Sequence, residues 1–187
     1  MSNVSSQVAA AHLEFIQPIA AALSPSTSGH GSMLANPPAP EAIIAHYREN
    51  GWHDLCDAIE CRLADQPAGE IALDEEDEMI LAAIDRAVAE PGWLERAVAT
   101  AETEAAEQVA ALILAATWGE GDALAVLDEM RETAEAAGMT GSSAHAFVAM
   151  VEGERDLDRL REAHPNAQGG LVDATHAALC RRERDTE

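Results

Sequence analysis

The stretch WLERAVATAETEAAEQVAALILAATW, residues 93–118, decides the fold class. It contains no Gly or Pro, and its apolar residues recur every three or four positions. That spacing places one apolar stripe along a helix. The predicted core-facing positions are Leu94, Val98, Ala101, Ala105, Val109, Leu112 and Ala116. A helix over this whole stretch is longer than most helices of globular proteins.

Composition extends the helical prediction to the rest of the chain. The 187 residues include 40 alanines, whereas aromatic residues make up only 3%. Alanine favours helix, and strands need the β-branched and aromatic residues that are scarce here. Further helices are predicted over 41–50, 53–66, 74–90, 122–137, 142–164 and 171–182. We therefore predict an all-α fold, a bundle or short helical array of about five to seven helices.

The first forty residues differ from the rest in composition. Residues 1–23 begin as a helix, but Pro18 should break or kink it. Residues 24–40, SPSTSGHGSMLANPPAP, have the Ser, Pro and Gly content of a linker. The sequence thus predicts an N-terminal helical arm (1–23), a linker (24–40) and an acidic all-α domain (41–187), and leaves open whether the arm is separate or tied back onto the domain.

Net charge limits the classes of partner. The chain carries 34 acidic residues against 11 basic ones, a net charge of −23, and every basic residue is Arg. Such a charge disfavours direct binding to nucleic acid or to an anionic membrane. It favours a basic protein, or a nucleic-acid-binding protein complex, as the partner.

Cysteine content and hydropathy indicate a compartment. Three cysteines are too few and odd in number for a disulfide framework, so free thiols are expected. The N-terminus lacks the basic region of a signal peptide, and the longest apolar run, 109–118, is half the length of a membrane span. We expect a cytoplasmic protein.

No residue pattern in the sequence predicts a metal site. Five potential ligands fall within one helical stretch: His53, Cys56, Asp57, Glu60 and Cys61. On a helix Cys56 and Cys61 point roughly 140° apart, so they cannot hold one ion together. The acidic run beginning at Asp74 has Met79 where a calcium loop needs Gly.

Catalytic patterns are equally weak. Ser142, Ser143 and His145 lie close in sequence, but the serines stand where the next helix needs an N-cap. No Gly-x-Ser-x-Gly motif or phosphate-binding glycine loop with a Lys is present. We expect no catalytic residues and no cofactor.

Two acidic clusters remain as candidate binding residues. The first is Asp74, Glu75, Glu76, Asp77 and Glu78, in which Asp74 is the predicted N-cap of a helix. The second is the polar face of the 122–137 helix, formed by Asp128, Glu129, Glu132 and Glu135 with Arg131 as its one cation. Like charges four residues apart on a helix repel each other, so stability alone does not favour either cluster.

These clusters predict an acidic interaction or inhibitor protein without enzymatic activity. Its carboxylates would imitate phosphates and block the nucleic-acid site of a nuclease or defence complex, as anti-CRISPR and antirestriction proteins do. The alternative is a helical adaptor or immunity-type protein that binds through a hydrophobic groove, with Trp52, Trp93 and Trp118 as anchors and acidity serving solubility or a high-salt proteome. A small all-α enzyme is third, and homo-oligomer formation stays open.

Overall fold

The computed structural model describes residues 2–24, 38–67 and 71–186, and within these ranges it contains helices and turns but no strand. The all-α prediction is confirmed. Ten helices are described: α1 Ser2–Ala11, α2 Leu13–Leu23, α3 Pro40–Glu49, α4 His53–Leu63, α5 Glu75–Ala89, α6 Trp93–Thr117, α7 Gly121–Ala136, α8 Ser143–Val151, α9 Leu157–Ala163 and α10 Gly169–Thr186.

The predicted count of five to seven helices is too low, partly because two predicted helices are each divided. The N-terminal helix is interrupted at His12, with φ −112° and ψ 26°, and not at Pro18. Pro18 lies buried within α2, which continues to Leu23, so of the predicted break or kink at Pro18 the break is wrong. Its missing N–H removes one helical hydrogen bond, while its ring gains apolar burial.

The second division separates α8 from α9. Gly153, with φ +99°, follows the end of α8, and the Asp156 side chain accepts hydrogen bonds from the amides of Asp158 and Arg159 at the start of α9. A left-handed glycine stops one helix and an aspartate cap starts the next. One helix over 142–164, as predicted, is therefore two.

The chain forms two compact units, Met1–Ala101 and Glu102–Glu187. In the first unit, α1 and α2 pack on α5, and α3 packs on both α2 and α4. Its core is formed by fully buried side chains that include Phe15, Ile16, Ile19, Leu55, Ile59, Ile80 and Ile84. Residues predicted as an N-terminal arm thus supply part of this core.

The division into arm, linker and acidic domain stays a prediction. Most of the predicted linker, residues 25–37, lies outside the described residues. Within them, Ala9 of α1 and Phe15 of α2 are completely buried. Replacement of Phe15 by alanine tests whether the arm is integral to the first unit.

The second unit has a core of its own. α8 packs against α7, α9 and α10, and the buried side chains include Ile113, Leu127, Phe147, Met150, Leu160 and Leu179. In the part of α6 that belongs to the second unit, residues 102–117, the buried positions are Ala106, Ala110, Ile113 and Ala116. The predicted stripe is therefore correct at Leu94, Val98, Ala101 and Ala116. Val109 and Leu112 are partly buried against the second core, and the prediction is wrong at Ala105, which is exposed.

Candidate functional site

The start of α5 shows why the acidic run begins a helix. The Asp74 carboxylate accepts a hydrogen bond from the Asp77 amide at 2.8 Å, and Asp77 Oδ2 accepts one from the Asp74 amide at 3.4 Å. This reciprocal pair is a capping box in which both partners are aspartates. The prediction that Asp74 is the N-cap is confirmed.

Asp77 differs from its neighbours because it is buried, with only 6% of its surface exposed. Burial raises the pKa of its carboxyl group, while the hydrogen bond from the Asp74 amide opposes that rise and the negative charges of Asp74, Asp54 and Glu76 add to it. Its side chain serves the helix start and is not accessible to a partner. Asp77 therefore does not belong to an exposed acidic surface.

We expect Asp77→Asn to stabilise the protein at neutral pH. Since folding raises the pKa of Asp77, the stability it contributes is present below its unfolded pKa, about 3.9, and is lost as pH rises through the folded pKa. Asn keeps a side-chain oxygen for the Asp74 amide and carries no charge. Urea unfolding followed by circular dichroism at several pH values should show the variant gaining on the wild type as pH rises.

Glu78→Gln is the matched control, because it removes one charge from an exposed side chain of the same turn. Its stability should track the wild type across the same pH series more closely than Asp77→Asn does. An Asp77→Asn variant that is less stable than the wild type at neutral pH would show that the charged capping interaction outweighs burial.

The other acids of the first cluster are exposed. Asp74, Glu75, Glu76 and Glu78 all lie on the surface. Glu76 Oε1 lies 3.3 Å from His12 Nε2, and the other ring nitrogen of His12 lies 3.3 Å from the Tyr47 hydroxyl. Glu76 is thus linked through His12 to Tyr47. The exposed carboxylates of this acidic cluster that remain are those of Asp74, Glu75 and Glu78.

The second cluster is the α7 acidic face, which we define as Asp128, Glu129, Glu132 and Glu135. All four residues are exposed. Arg131 donates to Asp128 at 3.1 Å and to Glu135 at 3.0 Å. Within the described residues no hydrogen bond or ion pair joins Glu129 or Glu132 to another side chain. Arg131, the one cation of this face, therefore pairs with Asp128 and Glu135 and leaves Glu129 and Glu132 without an ion-pair partner in the described residues.

Arginine use elsewhere follows the same pattern. At least nine of the eleven arginines form ion pairs with carboxylates in the described ranges: Arg48, Arg62, Arg86, Arg131, Arg155, Arg159, Arg161, Arg181 and Arg182. Glu107 receives two of them, and the arginines lower the pKa of its carboxyl group. These arginines are paired with carboxylates of their own unit. The carboxylates without an ion-pair partner therefore dominate the electrostatic potential at the surface.

The three tryptophans occupy different environments. Trp93 is 6% exposed, and the Arg86 guanidinium lies 5.1 Å from its ring centroid. Trp52 is half-buried and packs on the first core, with its ring 5.5 Å from that of His12. Trp118, just after α6, is 62% exposed. Of the three predicted anchors, only Trp118 is largely accessible to a partner.

No metal centre or membrane span stands out in the described ranges. They contain no group of three or more His, Cys, Asp or Glu side chains placed to hold a metal ion. No helix in those ranges is long and apolar enough to cross a membrane. The three cysteines are free thiols, and burial raises the pKa of Cys56.

One constellation was missed by the sequence reasoning. Ser142 precedes α8 as its N-cap, as predicted, but its hydroxyl makes no capping hydrogen bond. It lies instead 3.0 Å from His145 Nδ1, and His145 Nε2 lies 3.4 Å from Glu135. The three-residue spacing of Ser142 and His145 was visible in the sequence. Glu135 could not be included, because it belongs to the preceding helix.

Comparison with known proteins adds no relative. No protein-family model matches the chain, and no curated protein or solved structure shows significant similarity to it. Function must therefore be inferred from the residues of this chain.

Proposed function

We propose that the chain is an acidic inhibitor protein that binds a basic, phosphate-recognising site of a nucleic-acid-binding protein. The α7 acidic face is its main contact. The observation that carries the proposal is the pair Glu129 and Glu132, which are exposed and have no ion-pair partner in the described residues, on a helix whose single arginine is already engaged.

The spacing of these carboxylates supports phosphate imitation. Residues four apart on a helix are separated by ~6 Å along its axis, and residues three apart by ~4.5 Å. The Asp128–Glu132 and Glu129–Glu132 pairs therefore have axial spacings comparable to those of phosphates along one strand. Arginines that grip a nucleic-acid backbone recognise charge and oxygen acceptors, and carboxylates supply both.

A charge-reversal experiment tests the proposal. Tagged wild-type protein and the variant Glu129→Lys/Glu132→Lys are used to capture proteins from a nuclease-treated lysate of the source cells, with elution by increasing salt. We expect the wild type to retain a nucleic-acid-binding protein that salt releases, and the variant to lose about tenfold or more in affinity, or about 1.4 kcal/mol. The wild type should also compete with a short labelled duplex for the captured protein.

The matched control is Glu102→Lys/Glu162→Lys. It makes the same change in net charge within the same unit, also at exposed glutamates. It should bind almost as well as the wild type. Equal losses in both double variants would mean that net charge matters and the α7 acidic face does not; capture that is indifferent to salt and to both variants would contradict the proposal.

A second candidate function is favoured by one observation. Besides Trp118, α7 exposes Leu124, Val126 and Met130, so the second unit presents large apolar side chains to solvent. If the protein binds its partner through these apolar side chains, its acidic residues serve only to keep it soluble. In the same capture experiment, Trp118→Ala would then abolish binding while the α7 charge reversal would leave it intact.

A further inference from the structure

Ser142, His145 and Glu135 form a connected chain of hydroxyl, imidazole and carboxylate within the second unit. The Ser142 hydroxyl lies 3.0 Å from His145 Nδ1, and His145 Nε2 lies 3.4 Å from Glu135 Oε1. The negative charge of Glu135 lies at ion-pair distance from Nε2, which favours the neutral His145 tautomer with its proton on Nε2 and leaves Nδ1 as the acceptor. The serine hydroxyl then donates to His145, which is the arrangement that activates a serine.

The turn that carries Ser142 is held in place by the loop after α9. The Asn166 amide donates to the Gly141 carbonyl at 3.1 Å, and the Asn166 side chain donates to the Thr140 carbonyl at 2.7 Å. The Gln168 amide donates to the Ser143 hydroxyl at 2.9 Å. Gly141 has φ +66°, and a Cβ there would lie 3.3 Å from the Pro165 ring. The position of Ser142 is thus set by contacts outside its own helix.

Two side chains from other elements lie beside His145. Glu135 faces it from α7 and also accepts from Arg131, while His164, beyond α9, has its ring centroid 6.3 Å from that of His145. Burial, and to a lesser extent the proximity of His145, lowers the pKa of His164. A neutral His164 does not repel an imidazolium at His145. The Ser142 hydroxyl is free for this role because it caps no helix amide.

We propose that Ser142 is a nucleophile that takes acyl or phosphonyl groups from small activated esters, with His145 as the general base and Glu135 as a positioning residue. With an ester, Oγ attacks the carbonyl carbon, the hydroxyl proton passes to His145 Nδ1, and the alcohol leaves with that proton. Water then hydrolyses the acyl-serine by the same route. This proposal does not rest on the inhibitor function, although the site shares Glu135 with the α7 acidic face. The chain would then carry catalytic residues that the sequence did not predict.

A fluorophosphonate reagent tests the nucleophile on the full-length folded protein. The Oγ–P bond forms, the P–F bond breaks, fluoride leaves and the hydroxyl proton passes to His145. Peptide mass spectrometry should place the adduct on Ser142, and unfolding in urea should abolish labelling. Ser142→Ala should remove the adduct, and His145→Gln should slow labelling about a hundredfold or more. Circular dichroism of each variant confirms that it is folded.

The positioning role of Glu135 needs its own readout. Removing a buried triad carboxylate lowers rates by ~10⁴, but Glu135 is 44% exposed and shared with Arg131, so we expect about a tenfold loss in Glu135→Gln. Glu135→Asp keeps the carboxylate and should recover part of the labelling rate that Glu135→Gln loses. A purely structural role of the glutamate side chain would give no such recovery.

Ser24→Ala is the control, since the Ser24 hydroxyl donates to the Ala20 carbonyl and forms no hydrogen bond with a histidine of the described ranges. It should label like the wild type. Folded wild-type protein that forms no adduct on Ser142, or an adduct whose rate is unchanged in His145→Gln, would overturn the proposal.

Discussion

Replacing Phe15 with alanine is expected to lower the free energy of unfolding of the first unit by about 3–5 kcal/mol. Phe15 has no exposed surface, and its ring stacks on that of Tyr47 at a centroid distance of 4.0 Å. Truncation removes apolar burial, leaves a cavity and withdraws the stacking partner of a tyrosine whose pKa burial already raises. Chemical unfolding followed by circular dichroism measures the loss.

The matched control is Val4→Ala on the neighbouring helix. Val4 is 51% exposed, so its truncation should change stability by no more than about 0.5 kcal/mol. The comparison decides the status of residues 1–23. If they were a separate arm, Phe15→Ala would be as mild as Val4→Ala, and the first unit would retain its stability when residues 1–23 are removed.

Local signals in the sequence predicted several features correctly. Asp74 starts α5, as predicted. The helices predicted to end at residues 50 and 137 end close to those positions, and Gly51 and Gly138, both with positive φ, follow them. Each of these helix boundaries depends on residues within one or two helical turns, so the local sequence is enough to predict it. The helix predicted over 122–137 is α7, which begins at Gly121 with Glu120 as its N-cap.

Features that depend on distant contacts were not predictable. The predicted stripe of α6 includes Ala105, which is exposed, and omits Ala106, Ala110 and Ile113, which the second unit buries. Likewise the sequence places Asp77 in a run of charged residues and predicts that it is exposed, whereas the structure buries it. Among the candidate site residues, Trp118 is exposed and Trp93 is buried. Their positions in the sequence do not predict this difference.

Arg155 is the clearest residue that the sequence could not identify, and its replacement by methionine is expected to cost about 2–4 kcal/mol. It lies between α8 and α9, in a stretch predicted to be continuous helix. Its Nη2 donates to Glu183 of α10 at 2.6 Å and its Nη1 to the Glu154 carbonyl at 2.9 Å. Nη1 also donates to the carbonyl of Met150, near the end of α8.

These bonds explain the size of the expected loss. One guanidinium satisfies two main-chain carbonyls near the end of α8 and also holds the carboxylate of α10, and the Arg155 carbonyl itself contacts His176 Nε2 at 2.8 Å. Methionine keeps the apolar stem and offers no donor, so the carbonyls and Glu183 lose their partner together. Unfolding in urea measures the loss.

A double-mutant cycle with Glu183→Gln separates the two contributions. If the ion pair dominates, Glu183→Gln alone approaches the cost of Arg155→Met, and the coupling energy is about 1–2 kcal/mol. If the carbonyl bonds dominate, Glu183→Gln is mild and the two effects add. Arg159→Met is the control: its side chain is 74% exposed and lies 3.6 Å from Asp156, so its loss should be below about 1 kcal/mol. An Arg155→Met variant no less stable than Arg159→Met would show that the junction between α8 and α9 is held by its glycine and its aspartate cap, and that the guanidinium adds nothing to them.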